Sequence, residues 1–149
     1  MGGSSTTTVR EMTAEDAERV AALSGQLGYP STPDQIRHRL LGIEAHPEAR
    51  VFVACDAVGR VQGWVHVYGH RQLESGGAAE VGGLVVDEEA RGQGMGRALM
   101  AAAESWARER GYERLTLRSN VVRDEAHRFY QRLGYTIVKS QHKFQKPIV

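Results

Sequence analysis

Cysteine is nearly absent from this sequence: Cys55 is the single one among 149 residues. One cysteine excludes an internal disulfide framework and a zinc site built from cysteines. Long apolar runs are also missing, since no stretch approaches the ~20 residues of a membrane-spanning helix. Neither sign of charge prevails, because 19 Lys and Arg residues face 18 Asp and Glu, a formal net charge of +1. No strong field therefore favours nucleic acid or a membrane as a partner.

The first eight residues have neither the basic start nor the apolar centre of a signal peptide. We expect residues 1–6 to be disordered. We expect residues 7–149 to form a single domain, because the chain has about the length of one domain and shows no internal repeat or long linker. The default compartment for such a chain is the cytoplasm.

Apolar spacing and turn residues predict ten elements along the chain. Apolar residues three and four apart indicate helices, and alternation indicates strands. The predicted helices begin after Thr13 and Thr32 and cover residues 95–110 and 124–133. The predicted strands cover residues 7–12, 51–54, 61–68, 80–86, 114–118 and 135–144, with a loop at 73–77. The order β-α-α-β-β-β-α-β-α-β indicates the α/β class.

A glycine-rich turn, Arg91-Gly-Gln-Gly-Met-Gly96, lies between an apolar strand and an amphipathic helix. Its three alternating glycines let the backbone turn sharply and come close to a ligand. The helix that follows points its free N–H groups into the turn, which makes an anion site of the kind that binds phosphate. Arg91 and Arg97 add fixed positive charge on either side. Neither the dinucleotide-binding glycine pattern nor the Walker pattern fits this spacing.

The pattern that does fit is Arg-x-x-Gly-x-Gly, here Arg91, Gly94 and Gly96. It resembles the signature of the GNAT superfamily of N-acetyltransferases. A second segment resembles that family's later motif, an Asn followed by Ala-x-x-x-Tyr and Leu-Gly-Tyr. Here those residues are Asn120, Ala126, Tyr130, Leu133, Gly134 and Tyr135. The specific resemblance covers about Glu80 to Phe144.

The resemblance implies a mixed, mostly antiparallel central sheet flanked by helices on both sides. It implies acetyl-CoA as cosubstrate, no metal, a small-molecule amine as the other substrate, and a homodimer as the assembly. Family members hold the pantetheine arm on a splayed strand and the pyrophosphate on the glycine turn. The matching positions are Leu84, Val85, Val86, Arg91, Gly92, Gln93, Gly94, Met95, Gly96, Arg97, Asn120 and Tyr130. Gly82 and Gly83, just before that strand segment, are consistent with a bulge.

Two residues are candidates for the proton transfers that amine acetylation needs. Glu80 is the candidate base, at the start of the central strand, where alternation puts Glu80 and Gly82 on one face and Gly83 on the other. Its alternative role is a solvated carboxylate at a strand end. Tyr130 is the candidate acid, because matching family tyrosines donate to the coenzyme sulfur. Its alternative role is a half-buried packing aromatic.

Several residues keep open interpretations. His66 and His70 share a strand face, and a metal pair, a substrate-groove wall or plain exposure are the alternatives. His127 is either a surface residue or a substrate contact, and Cys55 is interpreted as a core residue.

The chain looks most like small-amine enzymes of the aminoalkylphosphonate and aminoglycoside type. It has Gly83 where some of those relatives carry a second acidic residue. A non-catalytic coenzyme-A-binding module and a protein or peptide N-acetyltransferase remain alternative functions.

Overall fold

A computed structural model of the chain describes residues 6–119 and 124–149. It falls into two compact units, Met1–Leu117 and Arg118–Val149, and each is described here by itself. The first unit contains the elements β1 (Thr8–Glu11), α1 (Ala17–Leu27), α2 (Pro33–Glu44), β2 (Ala49–Cys55), β3 (Val61–Gln72), β4 (Gly76–Val86), α3 (Met95–Glu109) and β5 (Leu115–Leu117). The second contains α4 (Asp124–Arg132). The expected disordered segment, residues 1–6, lies almost entirely outside the described residues.

The five strands form one sheet in the order β1-β2-β3-β4-β5. Each of the first four strands is antiparallel to its neighbour, and β5 runs parallel to β4. This confirms the predicted class, a mixed and mostly antiparallel sheet. The predicted loop at 73–77 is too long, because β3 continues to Gln72 and β4 already begins at Gly76. Gly76 has a φ of 78°, a left-handed turn conformation that glycine adopts without strain.

Neighbouring residues of β3 show that helices cover both faces of the sheet. A Cβ atom on Gly83 would lie beside both Trp64 of β3 and Leu27 of α1. A Cβ atom on Gly63, one residue before Trp64, would lie 3.1 Å from Cδ1 of Leu99 in α3. Successive strand residues point to opposite faces. Therefore α1 lies on one face and α3 on the other, and α2 joins α1 through a shared apolar core. That core contains Leu23, Leu40, Val51 and Val53.

Polar side chains begin both helices of the first face. Asp16 and Thr13 form a reciprocal capping box before α1. Thr32 accepts a hydrogen bond from the backbone N–H of Gln35 at 3.1 Å, and Pro33 occupies the first helical position of α2. These satisfy N–H groups that a helix start leaves unpaired. The predicted start of α2 is thereby confirmed, whereas Thr13 begins a short 3₁₀ turn, Ala14–Asp16, and α1 itself begins at Ala17.

Strand β4 contains a bulge at the predicted place. Its register with β3 passes from His66↔Gly83 to Val67↔Val81, so Gly82 is an extra residue without a directly opposite partner. Because of the bulge, the expectation that Gly82 and Gly83 face opposite sides of the sheet is wrong. Gly83 faces the same side as Gly82, since a Cβ on Gly82 would lie 3.0 Å from Nδ1 of His66 and one on Gly83 would lie 2.8 Å from Cη2 of Trp64. An extra residue shifts the side-chain alternation by one position.

The second unit ends without the last predicted strand. The predicted strand at 135–144 is wrong, because residues 135–149 follow α4 in irregular conformation. Lys139, Gln141 and Lys143 alternate with Ser140 and His142, so neither face of this segment is continuously apolar. In the described part of the chain, no helix combines the length and apolarity that crossing a membrane requires.

Candidate functional site

Four strands place one residue each in a row across the face that α1 and α2 cover. Ala49 of β2 is paired with Tyr68 of β3, Tyr68 with Glu80 of β4, and Glu80 with Thr116 of β5. Directly paired residues point to the same face of a sheet. The row therefore brings a phenol, a carboxylate and a hydroxyl together from residues that are far apart in the chain.

Glu80 is at the centre of this row and is 9% exposed. Its Oε2 accepts a hydrogen bond from the Tyr68 hydroxyl at 2.8 Å, and its Oε1 accepts one from the Thr116 hydroxyl at 3.2 Å. Nε2 of His70 is 3.5 Å from the same Oε1. Glu80 lies inside β4 rather than at its start, because the strand begins four residues earlier at Gly76. These contacts hold the carboxylate in one orientation. Glu80 is therefore not a solvated carboxylate at a strand end.

Two histidines flank Tyr68 on β3, as their spacing predicts. The ring centroids of His66 and Tyr68 are 5.4 Å apart, and those of Tyr68 and His70 are 6.3 Å apart. Burial lowers the pKa of His66 and keeps its imidazole uncharged near neutral pH. Over residues 6–119 and 124–149, no group of three His, Cys, Asp or Glu side chains is arranged to hold a metal ion.

A groove of about 290 Å³ opens beside this cluster. Its walls come from the end of α2 and the segment after it, from the start of β2, and from β3. The lining residues are Gly42, Ile43, His46, Ala49, His66, Tyr68 and Gly69. Since Tyr68 both lines the groove and donates to Glu80, the groove and the buried carboxylate form one site.

One edge of β4 is open next to this site. β5 pairs with β4 only from Ala79 to Val81, and within the described residues no strand pairs with this edge further along. The N–H of Asp87 donates to the carbonyl of Gln62 on β3 at 2.7 Å. In an antiparallel pair the backbone groups alternate in direction, so those of Leu84 and Val86 point away from β3 towards the open edge. The carbonyl of Val86 accepts a hydrogen bond from Nε of Arg91 at 3.2 Å.

The glycine turn leads from this edge into α3. Gly92 and Gly94 both have a φ of 84°. The first helical hydrogen bond runs from Ala98 to Gly94, so the N–H groups of residues 95–97 precede it and point out of the helix start. Asp87, before the turn, is bound to Arg19 of α1 at 2.9 Å. Such N–H groups at the positive end of a 15-residue helix fit a pyrophosphate.

The two remaining predicted residues follow the first unit in the chain. Asn120 lies outside the described residues. Tyr130 lies on α4 in the second unit, half-buried, with its ring centroid 5.1 Å from that of Phe129 and 6.2 Å from that of Tyr135. Gly134, with a φ of 98°, ends this helix. His127 is also half-buried on α4.

Sequence reasoning missed Tyr68, Thr116 and the groove residues of α2. Their roles depend on strand register, which brings Tyr68 opposite Glu80 across a hairpin. A register prediction for the two glycine-flanked strands could have suggested Tyr68, because its separation of twelve residues from Glu80 suits a hairpin. No local pattern marks Thr116.

Comparison with known proteins matches most of the chain. Residues 13–135 match the sequence pattern of the acetyltransferase (GNAT) family. An aminoglycoside N(6')-acetyltransferase type 1 of Stenotrophomonas maltophilia is 31% identical over 145 residues, which cover 95% of this chain and 94% of that protein. An aminoalkylphosphonate N-acetyltransferase of Salmonella typhimurium is 32% identical over 146 residues, covering 94% and 90%.

A solved structure has the same fold. The aminoglycoside N-acetyltransferase AAC(6')-Iy, crystallised in complex with CoA, superposes with a TM-score of 0.85 at 18% identity, covering 95% of each chain. At that identity the similarity concerns the fold alone.

Proposed function

The chain belongs to the GNAT acetyltransferase family and is an acetyl-CoA-dependent N-acetyltransferase, and from that premise we propose that its acceptor is the primary amine of a small molecule, which attacks the acetyl group directly in a ternary complex. The observation that carries the proposal is the Glu80 row. A buried carboxylate, held by two hydroxyl groups, lies beside a groove and next to an open strand edge. Both full-length relatives are named for amine substrates.

We propose that Glu80 removes the proton from the amine. A primary amine near pH 7 is mostly ammonium and has no lone pair with which to attack, so a base must accept its proton directly or through water. The bonds from Tyr68 and Thr116 fix where the carboxylate oxygens point. This orientation holds the base in place behind Tyr68, which lines the groove, and such preorganisation is what an acid–base step needs.

The cofactor fits the open edge of β4 and the glycine turn. We propose that the strand segment of Leu84, Val85 and Val86 binds the pantetheine arm. The backbone groups of Leu84 and Val86 point to the open edge and would pair with the pantetheine amides, whereas those of Val85 are turned towards β3, so Val85 would only separate the two. The turn and helix start, from Arg91 through Gly92, Gln93, Gly94, Met95 and Gly96 to Arg97, would hold the pyrophosphate. Acetyl-CoA supplies an acetyl thioester that is already electrophilic. Asn120 remains proposed as a contact of the pantetheine arm.

Tyr130 is proposed as the acid of the reaction. When nitrogen bonds to the acetyl carbon, the carbon–sulfur bond breaks and the sulfur leaves with the electron pair. The Tyr130 hydroxyl would give its proton to that sulfur, while Glu80 holds the first proton from the ammonium group. The nitrogen loses its second proton as it becomes an amide, and that proton would restore the Tyr130 hydroxyl through water. The two groups then act on different atoms, so their contributions to the rate are separable.

The test is release of free thiol from acetyl-CoA with a panel of amines, aminophosphonates and peptides, with product masses measured. Glu80→Gln keeps the shape of the side chain and should lower kcat by about 10²–10⁴ while leaving coenzyme A affinity unchanged. The rise of activity towards basic pH should flatten in the same variant. Tyr130→Phe should slow turnover while the helix stays folded, because its ring contacts remain.

Three results would count against the proposal. Coenzyme A binding without thiol release for any acceptor would favour a non-catalytic binding module. Acetylation of peptides only would favour a peptide N-acetyltransferase. Full turnover with an unshifted pH profile in Glu80→Gln would remove Glu80 from the mechanism.

A further inference from the structure

We infer that the acceptor is a monoamine with a compact apolar or aromatic body, which lies in the groove between the end of α2 and β3 with its amine towards Glu80. The inference rests on the proposed function and narrows its substrate class. It separates this chain from the polycationic and phosphonate-bearing substrates for which its two full-length relatives are named.

The groove offers mainly carbon surface to a ligand. Ile43, Ala49 and the Tyr68 ring supply apolar contacts, and Gly42 and Gly69 expose backbone. Among the described residues that line the groove, none has a carboxylate, a lysine or an arginine side chain. Transfer of several ammonium groups into such a groove would cost their hydration without a compensating charge. An apolar or flat body loses little by leaving water and gains contact area.

The charges around the groove suit a single ammonium group. Glu80 lies behind Tyr68 and supplies one carboxylate. The carboxylate of Glu48, near His46 in the chain, accepts a hydrogen bond from the Tyr112 hydroxyl at 2.8 Å. A Cβ on Gly69 would overlap the Tyr112 side chain, so Tyr112 lies on the face to which Gly69 points. Because Gly69 directly follows Tyr68 in β3, this is the face opposite to the Tyr68 side chain. Glu48 is therefore engaged away from the groove.

A phosphonate would need fixed positive charge, which the groove wall does not provide. Phosphonates are bound in proteins by Arg, Lys or clusters of N–H donors. His66 is the imidazole nearest to the β4 bulge, and burial lowers its pKa, so it faces a ligand in the neutral form. A neutral imidazole can stack against an aromatic ring or accept one hydrogen bond.

The groove is small and opens to solvent. Its volume is about 290 Å³. A phenylethylamine-sized molecule fits within it, whereas a three-ring aminoglycoside would extend beyond it.

Two glycines allow a matched test of the groove. Gly42 lines it, and a Cβ added there meets no atom within 4 Å. Gly25 on α1 is likewise a helical glycine with no atom within 4 Å of an added Cβ, and it does not line the groove. Gly42→Leu and Gly25→Leu therefore make the same chemical change in two helices, and only the first places a side chain in the groove.

The experiment compares 2-phenylethylamine, 2-aminoethylphosphonate and kanamycin on the full chain. Thiol release gives kcat/KM, and calorimetry with protein saturated with coenzyme A gives amine binding independently of turnover. We expect kcat/KM to be highest for 2-phenylethylamine. Gly42→Leu should lower that value roughly 10-fold, mainly through KM, whereas Gly25→Leu should match the unmodified protein.

The two readouts separate this inference from the proposed function. Preference for kanamycin or 2-aminoethylphosphonate, with active enzyme, overturns the inference and leaves the acetyltransferase function intact. Binding of 2-phenylethylamine that Gly42→Leu weakens, without thiol release, supports the groove assignment and contradicts the proposed reaction. Equal kinetics in the Gly42→Leu and Gly25→Leu variants, or no binding of 2-phenylethylamine, overturns the inference.

Discussion

In the first unit, two tyrosine hydroxyls each donate a hydrogen bond to a different glutamate, and of the two only Tyr68 lines the groove. Tyr68 donates to Glu80 at 2.8 Å, and Tyr112 donates to Glu48 at 2.8 Å. Burial raises the pKa of Tyr112, and its bond to Glu48 adds to that effect. Comparing the two tyrosines therefore distinguishes a hydroxyl that only stabilises the fold from one that also orients a reacting group.

We predict that Tyr68→Phe lowers kcat and shifts the pH profile of turnover, because the Glu80 carboxylate loses its closest donor. Tyr112→Phe should leave both unchanged. Each variant removes one hydrogen bond, so each should lose about 1 kcal/mol of unfolding free energy. Steady-state kinetics across pH and urea unfolding of both variants make the comparison. Equal effects on turnover would show that Tyr68 has only a structural part.

At this scale the sequence predicted residues that carry local motifs and missed residues that act through register. Glu80 and the glycine turn follow from a motif and a strand pattern that can be read along the chain. Thr116 reaches Glu80 only because β5 pairs in parallel with β4, a contact across 36 positions.

The start of α3 is the element proposed to hold the pyrophosphate of coenzyme A. Gly94 has a φ of 84°, and a β-branched residue is strained there. We predict that Gly94→Val abolishes coenzyme A binding in a folded protein. Gly76→Val is the matched control, since Gly76 has a φ of 78° at the β3–β4 turn and also meets nothing within 4 Å. Calorimetry showing equal coenzyme A affinity in both variants would refute the anion site.

The junction of β1 and α1 should make stability depend on acid pH. Arg10 binds Asp16 through two hydrogen bonds of 2.8 Å, and this pairing holds the Asp16 pKa below its usual value. A lowered native pKa means that the stabilisation is complete above the unfolded pKa, ~3.9, and is lost as pH falls through the native pKa. Asp16 itself is 8% exposed.

We therefore predict that Asp16→Asn lowers the unfolding free energy by roughly 1.5–3 kcal/mol at pH 7. The difference from the unmodified protein should shrink as pH falls below ~3.9. Urea unfolding of both proteins at pH 7 and at a pH below ~3.9 measures this difference in unfolding free energy. A difference that is independent of pH would mean that the charge of Asp16 does not stabilise this junction.

Elements with strong local signals were predicted better than those that depend on a partner. In the sequence, Thr32 and Pro33 mark the start of α2 and Gly28 marks the end of α1. Both predictions are confirmed. The lengths of β3 and β4 were underestimated because their outer halves are stabilised by pairing with each other rather than by apolar alternation. The final strand was predicted wrongly, since residues 139–143 offer no continuous apolar face that a partner strand or helix could cover.

At the scale of the whole molecule, the family resemblance implies a homodimer. The second unit exposes large apolar side chains, among them Ile137 at 65%, Val138 at 83% and Phe144 at 92%. Exposed apolar groups of this size favour association. We predict a dimer by sedimentation at high micromolar concentration and a shift to monomer in a Val138→Lys, Phe144→Lys double variant. A monomer at that concentration in the unmodified chain would refute the prediction.

The class of fold could be predicted because it depends on the order of elements, which apolar periodicity reveals without any long-range contact. The α/β class is accordingly confirmed. The helices on both faces of the sheet, which the family resemblance implies, are confirmed as well. The acceptor groove could not be predicted, because its walls come from α2, β2 and β3 and exist only after packing.

Cys55 gives this chain a built-in reporter. It is 4% exposed on β2 and belongs to the apolar core with Val20 and Leu23 of α1, so a thiol reagent reaches its sulfur only when this part of the fold opens. In the folded protein such a reagent therefore detects the coenzyme A that turnover releases. Without substrate, the rate at which the reagent labels the protein measures how often the core around Cys55 opens, and one labelling chemistry thus monitors both catalysis and opening.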